Sequence, residues 1–185
     1  MGELIFITGG ARSGKSTYAQ RLAMEQGHKI LYIASALPID EEMKERIKRH
    51  RESRPSFWQT LEAYRSIKAK LDSDGERYHG ILLDCLTVMV TNLLMDTGED
   101  PEKWDRKRID AFEKAVMREV TETLKGIRTW SNLGMVVSNE VGMGLVPDNP
   151  LGRIFRDIAG RANQLVAADA DRVFMVVSGI PVRLK

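Results

Sequence analysis

Cysteine is nearly absent from this 185-residue chain, in which Cys85 stands alone. A single thiol excludes an internal disulfide and fits a reducing compartment, so its expected role is core packing just after a strand. An excess of either charge is missing too. With 28 Lys and Arg against 26 Asp and Glu, the formal net charge is +2, which argues against a general polyanion binder. No apolar run approaches the roughly 20 residues that a membrane span needs. The apolar start is too short for a signal peptide and runs straight into a glycine-rich loop. Repeats, linkers and low-complexity segments are also missing. The expectation is a soluble, cytoplasmic protein with no transmembrane segment. Residues 1–185 would form one α/β nucleotide-binding domain, long enough to bury a real core.

What is present is organised around Gly9-Gly10-Ala11-Arg12-Ser13-Gly14-Lys15-Ser16. This is the phosphate-loop pattern of Gly, four residues, then Gly-Lys-Ser. Its context is right as well. Leu4 to Thr8 reads as a buried strand before it, and Thr17 to Ala23 continues as a helix after it. The glycines let successive N–H groups point at phosphate oxygens, and the helix presents its positive end to the same anion. Lys15 would reach the β- and γ-phosphates and the Ser16 hydroxyl would sit on Mg²⁺.

Further apolar runs, Ile30–Ala34, Gly80–Asp84, Gly134–Ser138 and Arg172–Val177, read as strands. Pro181 to Leu184 is expected to return as an antiparallel edge. Helices are expected over 40–55, 63–71, 86–95, 102–127 and 150–168, the last capped by Asp148 or Asn149 with Pro150 at its first position. Alternating strands and helices opened by a phosphate loop predict a mostly parallel α/β sheet flanked by helices. Asp84, ending its strand downstream of the loop, is the expected partner for Mg²⁺ or its waters. Asn139 and Glu140 end another strand at the edge where ligands bind. The glycine-punctuated segment Val141 to Pro147 could move over such a site.

The 40–55 segment has two readings. Asp40 can cap it, Met43, Ile47 and His50 share one face, and Glu42–Arg46, Glu45–Arg49 and Lys48–Glu52 are i,i+4 pairs. One reading is a solvated amphipathic helix with a structural histidine. In the other, His50 faces the protein body amid Lys48, Arg49, Arg51 and Arg54, where an imidazole is suited to attack a phosphate. Spacing leaves both open.

The chain resembles one family over essentially its whole length, the bifunctional adenosylcobinamide kinase/adenosylcobinamide-phosphate guanylyltransferases of cobalamin biosynthesis. The likeness rests on Gly9 to Ser16, on Asp40-Glu41-Glu42-Met43 with Arg46-Ile47 and His50, and on Arg54-Pro55 with Trp58, Thr60 and Glu62. It continues through Leu83 to Thr87, Val90 to Leu94, Ser138 to Pro147, Phe155 to Arg161 and Ser178 to Pro181. The resemblance implies a P-loop, RecA-like fold and a homotrimer; no nucleic acid partner is expected, on the near-neutral charge. It implies two reactions on a corrinoid substrate. ATP or GTP first phosphorylates adenosylcobinamide, and GMP then passes from GTP through a guanylylated histidine to adenosylcobinamide phosphate. His50 matches that histidine. Lys15 would share the catalysis, with Mg²⁺ on Ser16 and Asp84. Implied nucleotide contacts are residues 9–16, Ala34, Ser35, Ala36, Arg51, Glu52, Ser53, Arg54, Glu62 and Asp84. The rivals are a plain P-loop small-molecule kinase and a RecA-like ATPase on nucleic acid, the latter disfavoured by the near-neutral charge.

Overall fold

A computed structural model describes residues 2–38, 41–52 and 54–185, without the side chains of Glu42, Met43 and Arg46. The expected Asp40 cap, the Glu42–Arg46 pair, Met43 on the helix stripe and the contact at Ser53 lie outside the described residues. The strands are β1 (Glu3–Thr8), β2 (Ile30–Ala34), β3 (Gln59–Glu62), β4 (Tyr78–Asp84), β5 (Ser131–Val137), β6 (Arg172–Val177) and β7 (Ile180–Arg183). The helices are α1 (Lys15–Glu25), α2 (Glu41–Glu52), α3 (Ile67–Asp74), α4 (Leu86–Met95), α5 (Arg106–Trp130) and α6 (Pro150–Asp169). They build one sheet of order β3-β2-β4-β5-β1-β6-β7. All pairings are parallel except β6 with β7. The mostly parallel sheet with an antiparallel C-terminal edge is therefore as expected.

Because side chains alternate across a strand, each central strand supplies both cores. Leu4, Phe6, Leu31, Ile33, Ile81 and Leu83 pack beneath α3, α4, α5 and α6. Ile5, Ile7, Ile30, Tyr32, Leu82 and Met135 face the other way, covered by Ala19 and Ala23 of α1 and by Trp58. The strands are apolar on both faces because both faces are covered.

Several boundaries differ from the expectation by a few residues, and the differences at β3, α3 and α5 have a visible cause. β3 was not expected as a strand: its four residues are mostly exposed and it forms an edge, so periodicity gave no apolar run. Its pairing continues into Ala63, whose N–H donates to the Ala34 carbonyl at 3.0 Å, and α3 consequently starts at Ile67 rather than Ala63. The long helix starts at Arg106 because Asp105 Oδ1 accepts from the Arg108 N–H at 2.7 Å, after a 3₁₀ turn at Pro101–Lys103. Asn149 is the cap of α6, its Oδ1 accepting from the Gly152 N–H at 2.6 Å, with Pro150 at the first position.

The sheet order matters for chemistry. β5 lies between β1 and β4, so the phosphate loop and Asp84 emerge two strand spacings apart, about 10 Å. That gap opens at the carboxyl ends of the strands, where open parallel sheets bind ligands. Asn139, just past the end of β5, stands in the middle of it.

Candidate active site

The loop between β1 and α1 is held in shape by close backbone packing. Gly14, the cap of α1, has φ +93, and a Cβ there would meet Gly179 Cα at 3.1 Å. A Cβ on Gly9 would lie 2.5 Å from the Val176 carbonyl oxygen. The Gly179 N–H donates to the Ser13 carbonyl at 2.8 Å, so the β6–β7 turn buttresses the loop from behind. α1 begins at Lys15 and leaves its first N–H groups directed at the loop's concavity. Lys15 is 7% exposed and its Nζ donates to the Gly10 carbonyl at 2.9 Å.

Two openings meet here. One is lined by Ala11, Arg12, Ser13, Gly14, Lys15, Ser16 and Thr17 of the loop side and by Glu45, Arg49 and His50 of α2. The other is a cleft lined by Lys15, Ser16, Tyr32, Ala34, Ala36, Ile47, His50, Arg54, Asp84, Cys85, Val88 and Asn139. Lys15, Ser16 and His50 belong to both. His50 is half-buried, and Ile47, one turn earlier, faces the same cleft. Glu45 pairs with Arg49 at 3.1 Å on the exposed side of α2. The expected inward face of this helix is thus seen at Ile47 and His50.

The cleft floor is a hydrogen-bonded rim of strand ends. Tyr32 Oη donates to Asp84 Oδ2 at 2.9 Å. Burial, then the neighbouring Asp84 charge, push that phenol far above its ordinary range, so it stays protonated. Asn139 Nδ2 donates to Thr87 Oγ1 at 2.8 Å, and Asn163 Nδ2 donates to the Asn139 carbonyl at 3.1 Å. Burial also raises the Cys85 thiol, which keeps it protonated and packed against Thr87, as a structural cysteine.

The other sequence-derived positions separate. Ala34 and Ala36 line the cleft. The Ser35 side chain does not: it is fully buried, accepting from the Cys85 N–H and donating to the Cys85 carbonyl, both at 2.8 Å. Its carbonyl accepts from Asn92 Nδ2 at 2.6 Å. Ser35 therefore ties β2 to the end of β4. Arg51 and Glu52 are exposed on α2, and Glu62 is exposed at the end of the edge strand β3; none of the three lines either opening. Gly9 and Gly10 line neither opening: Gly9 is buried against the Val176 carbonyl, and the exposed Gly10 accepts from Lys15 through its carbonyl. Tyr32 and Asn139 join the cleft although the residue pattern singled out only the second. Tyr32 had one signal, a lone hydroxyl in an otherwise apolar strand on the face shared with Ala34.

As a cation site, Ser16 and Asp84 offer hard oxygen donors in one cleft. No group of three or more His, Cys, Asp or Glu suited to a metal occurs among the described residues. Hard oxygen donors of this kind suit Mg²⁺, which keeps several waters and is held by one or two carboxylates plus substrate phosphates.

Comparisons with known proteins agree with this geometry. The family described as cobinamide kinase / cobinamide phosphate guanyltransferase matches residues 5–184. The bifunctional adenosylcobalamin biosynthesis protein CobU of Salmonella typhimurium is 45% identical over 98% of this chain and 99% of its own. CobP of Pseudomonas aeruginosa, which bears the same bifunctional description, is 41% identical over 97% of this chain and 95% of its own. Among solved structures, a type III secretion system ATPase of pathogenic bacteria superposes with a TM-score of 0.56 at 12% identity, over 95% of this chain and 51% of that one. That last likeness bears on the fold alone. A phosphate loop, a strand-end aspartate and a histidine helix brought to one cleft, matched over nearly the whole chain, lead to one statement: the chain belongs to the cobinamide kinase/cobinamide phosphate guanyltransferase family.

Proposed function

We propose that this chain carries both activities of its family, phosphorylating adenosylcobinamide with ATP or GTP and then guanylylating the product through His50. The observation that carries the reading is that His50 lines both the opening over the phosphate loop and the cleft that holds Asp84. A plain kinase has no use for an imidazole at that junction.

In the kinase step the acceptor hydroxyl attacks the γ-phosphorus, and the nucleoside diphosphate leaves as the new ester forms. The loop N–H groups and Lys15 offset the charge carried by the phosphate oxygens. In the transferase step a ring nitrogen of His50 attacks the α-phosphorus of GTP and pyrophosphate leaves, giving a phosphoramidate. A phosphate oxygen of adenosylcobinamide phosphate then attacks that phosphorus, and the imidazole departs. Imidazole suits both roles because it is nucleophilic and a good leaving group. Mg²⁺ held by Ser16 and Asp84 would neutralise phosphate charge in both steps. The basic end of α2, with Arg49 and Arg51, and Arg54 just beyond it attract the triphosphate and its pyrophosphate product. Nucleotide contacts at Ala34, Ala36 and Glu62 belong to the same reading, as does a cytoplasmic homotrimer.

The test uses GTP labelled at the α-phosphate. Wild-type protein should take up an acid-labile label, and His50→Ala should take up none while keeping its thermal melting point. Unlabelled wild-type protein, or a labelled His50→Ala variant, would remove the transferase half of this reading.

A further inference from the structure

Tyr32 carries a chain of contacts that the proposed chemistry does not by itself require. It is 3% exposed in the middle of β2, between the apolar residues Leu31 and Ile33. Its hydroxyl is pinned by the 2.9 Å bond to Asp84 Oδ2. On the face of its ring lies the Arg54 guanidinium, with the central carbon 3.8 Å from the ring centroid. Arg54 Nε in turn donates to the main-chain carbonyl of His50 at 2.9 Å. Arg54 Nη1 is buried and has no hydrogen-bond partner among the described residues. The guanidinium is thus held by the ring on its face and by residue 50 at its edge. Asp84, Tyr32, Arg54 and the backbone of the histidine form one continuous path from the sheet to the end of α2.

A planar guanidinium on an aromatic face is favourable when partly desolvated, and its flatness makes the seat directional. α2 ends at Glu52, and the chain is no longer helical at Arg54. An anchor at that point sets where the last helical turn lies, and His50 is in that turn. Lysine would not serve, since it neither stacks flat nor offers an Nε–H to the carbonyl.

We propose that Tyr32 is a positioning residue for guanylyl transfer: its ring is the seat for Arg54, and through Arg54 it holds the His50 end of α2 over the cleft. This rests on the transferase reading above. The ring makes the seat, and the hydroxyl only steadies the ring. Substitutions that keep or remove the ring therefore separate the two contributions.

The experiment compares wild type, Tyr32→Phe, Tyr32→Met and Tyr32→Leu. Single-turnover labelling from α-labelled GTP is measured together with the dissociation constant of a non-hydrolysable GTP analogue and the melting temperature. Tyr32→Met fills similar volume without a ring and should label about tenfold more slowly, the loss of a desolvated cation–ring contact. Its analogue affinity should stay within about twofold of wild type, because positioning acts on the attack and not on binding. Tyr32→Phe should keep about a third or more of the wild-type rate, since the stack survives. Equal slowing in the Phe and Met variants, a Met variant as fast as wild type, or a loss matched by weaker analogue binding would each overturn the proposal. If Tyr32→Met does not fold, Tyr32→Leu decides, since it also removes the ring: slower labelling at unchanged analogue affinity supports the seat, and a wild-type rate or a loss carried by affinity removes it. Wild-type protein that takes up no label sinks the transferase reading and this proposal with it. A labelled wild type with an equally fast Met variant sinks this proposal alone.

Discussion

Lys15 is the residue on which both proposed half-reactions depend. Few ammonium groups are buried to this depth, and its position at the start of α1 puts it against any phosphate bound by the loop. Lys15→Ala should lower both the kinase rate and His50 labelling by about 100-fold or more, as expected for losing a charge aimed at the transition state. The melting temperature, measured alongside, should stay close to that of wild type, so that the loss reads as lost chemistry rather than lost fold. Labelling at the wild-type rate in that variant would mean that the two reactions use separate nucleotide sites. Lys15, Ser16 and Asp84 were legible in the sequence because their spacing and strand-end placement carry a mechanism. By spacing alone His50 was one of two readings, since a helical period says which face a residue shares but not what that face meets; the family resemblance pointed to the nucleophile. Tyr32 was not legible as a site residue. A tyrosine inside an apolar run reads as core, which it also is, and its partner Asp84 lies 52 positions away.

At the scale of elements, the start of β6 is bound to β1 and α5 by one carboxylate. Asp171 Oδ2 accepts from the Leu4 N–H at 2.7 Å and from Arg128 Nη1 at 2.9 Å. Arg128 also donates to Asp169 Oδ2 at 3.0 Å and to the Gly2 carbonyl at 2.8 Å. The Leu4 N–H, followed by Arg128, holds the Asp171 carboxyl below its ordinary range. A folded-state value below the unfolded one means that the carboxylate stabilises the fold above about pH 4 and that this is lost as pH falls further. Asp171→Asn should therefore melt lower than wild type at neutral pH, and its melting temperature should fall less between about pH 5 and pH 3. Parallel curves for the two proteins would mean that this carboxylate does not contribute. Nothing local announced the clamp, because its members come from both ends of the chain and the end of α5. The strands it joins, by contrast, were legible from their apolar runs. β3 escaped notice because an exposed edge strand lacks such a run.

At the scale of the whole molecule, the sheet ends in an unpaired apolar edge. On β7 and just past it, Ile180, Val182 and Leu184 are 66%, 47% and 61% exposed and alternate onto one face. Open edges of this kind promote association unless they are covered. If the proposed homotrimer covers this edge, light scattering on the purified protein returns the mass of a trimer, and Ile180→Lys with Val182→Lys shifts it toward monomer. A monomeric wild type would remove the proposed homotrimer.

The amino-acid sequence by itself determined the succession of strands and helices, the phosphate loop, and the placement of Asp84 at a strand end. Each of these is encoded over a few neighbouring residues by period, capping or the backbone freedom of glycine. Only the tertiary structure decided that β5 lies between β1 and β4, that α2 turns His50 toward Lys15, and that Tyr32 joins Asp84 to Arg54. Those are pairings between distant positions, and they follow from how two apolar faces are covered rather than from any local pattern.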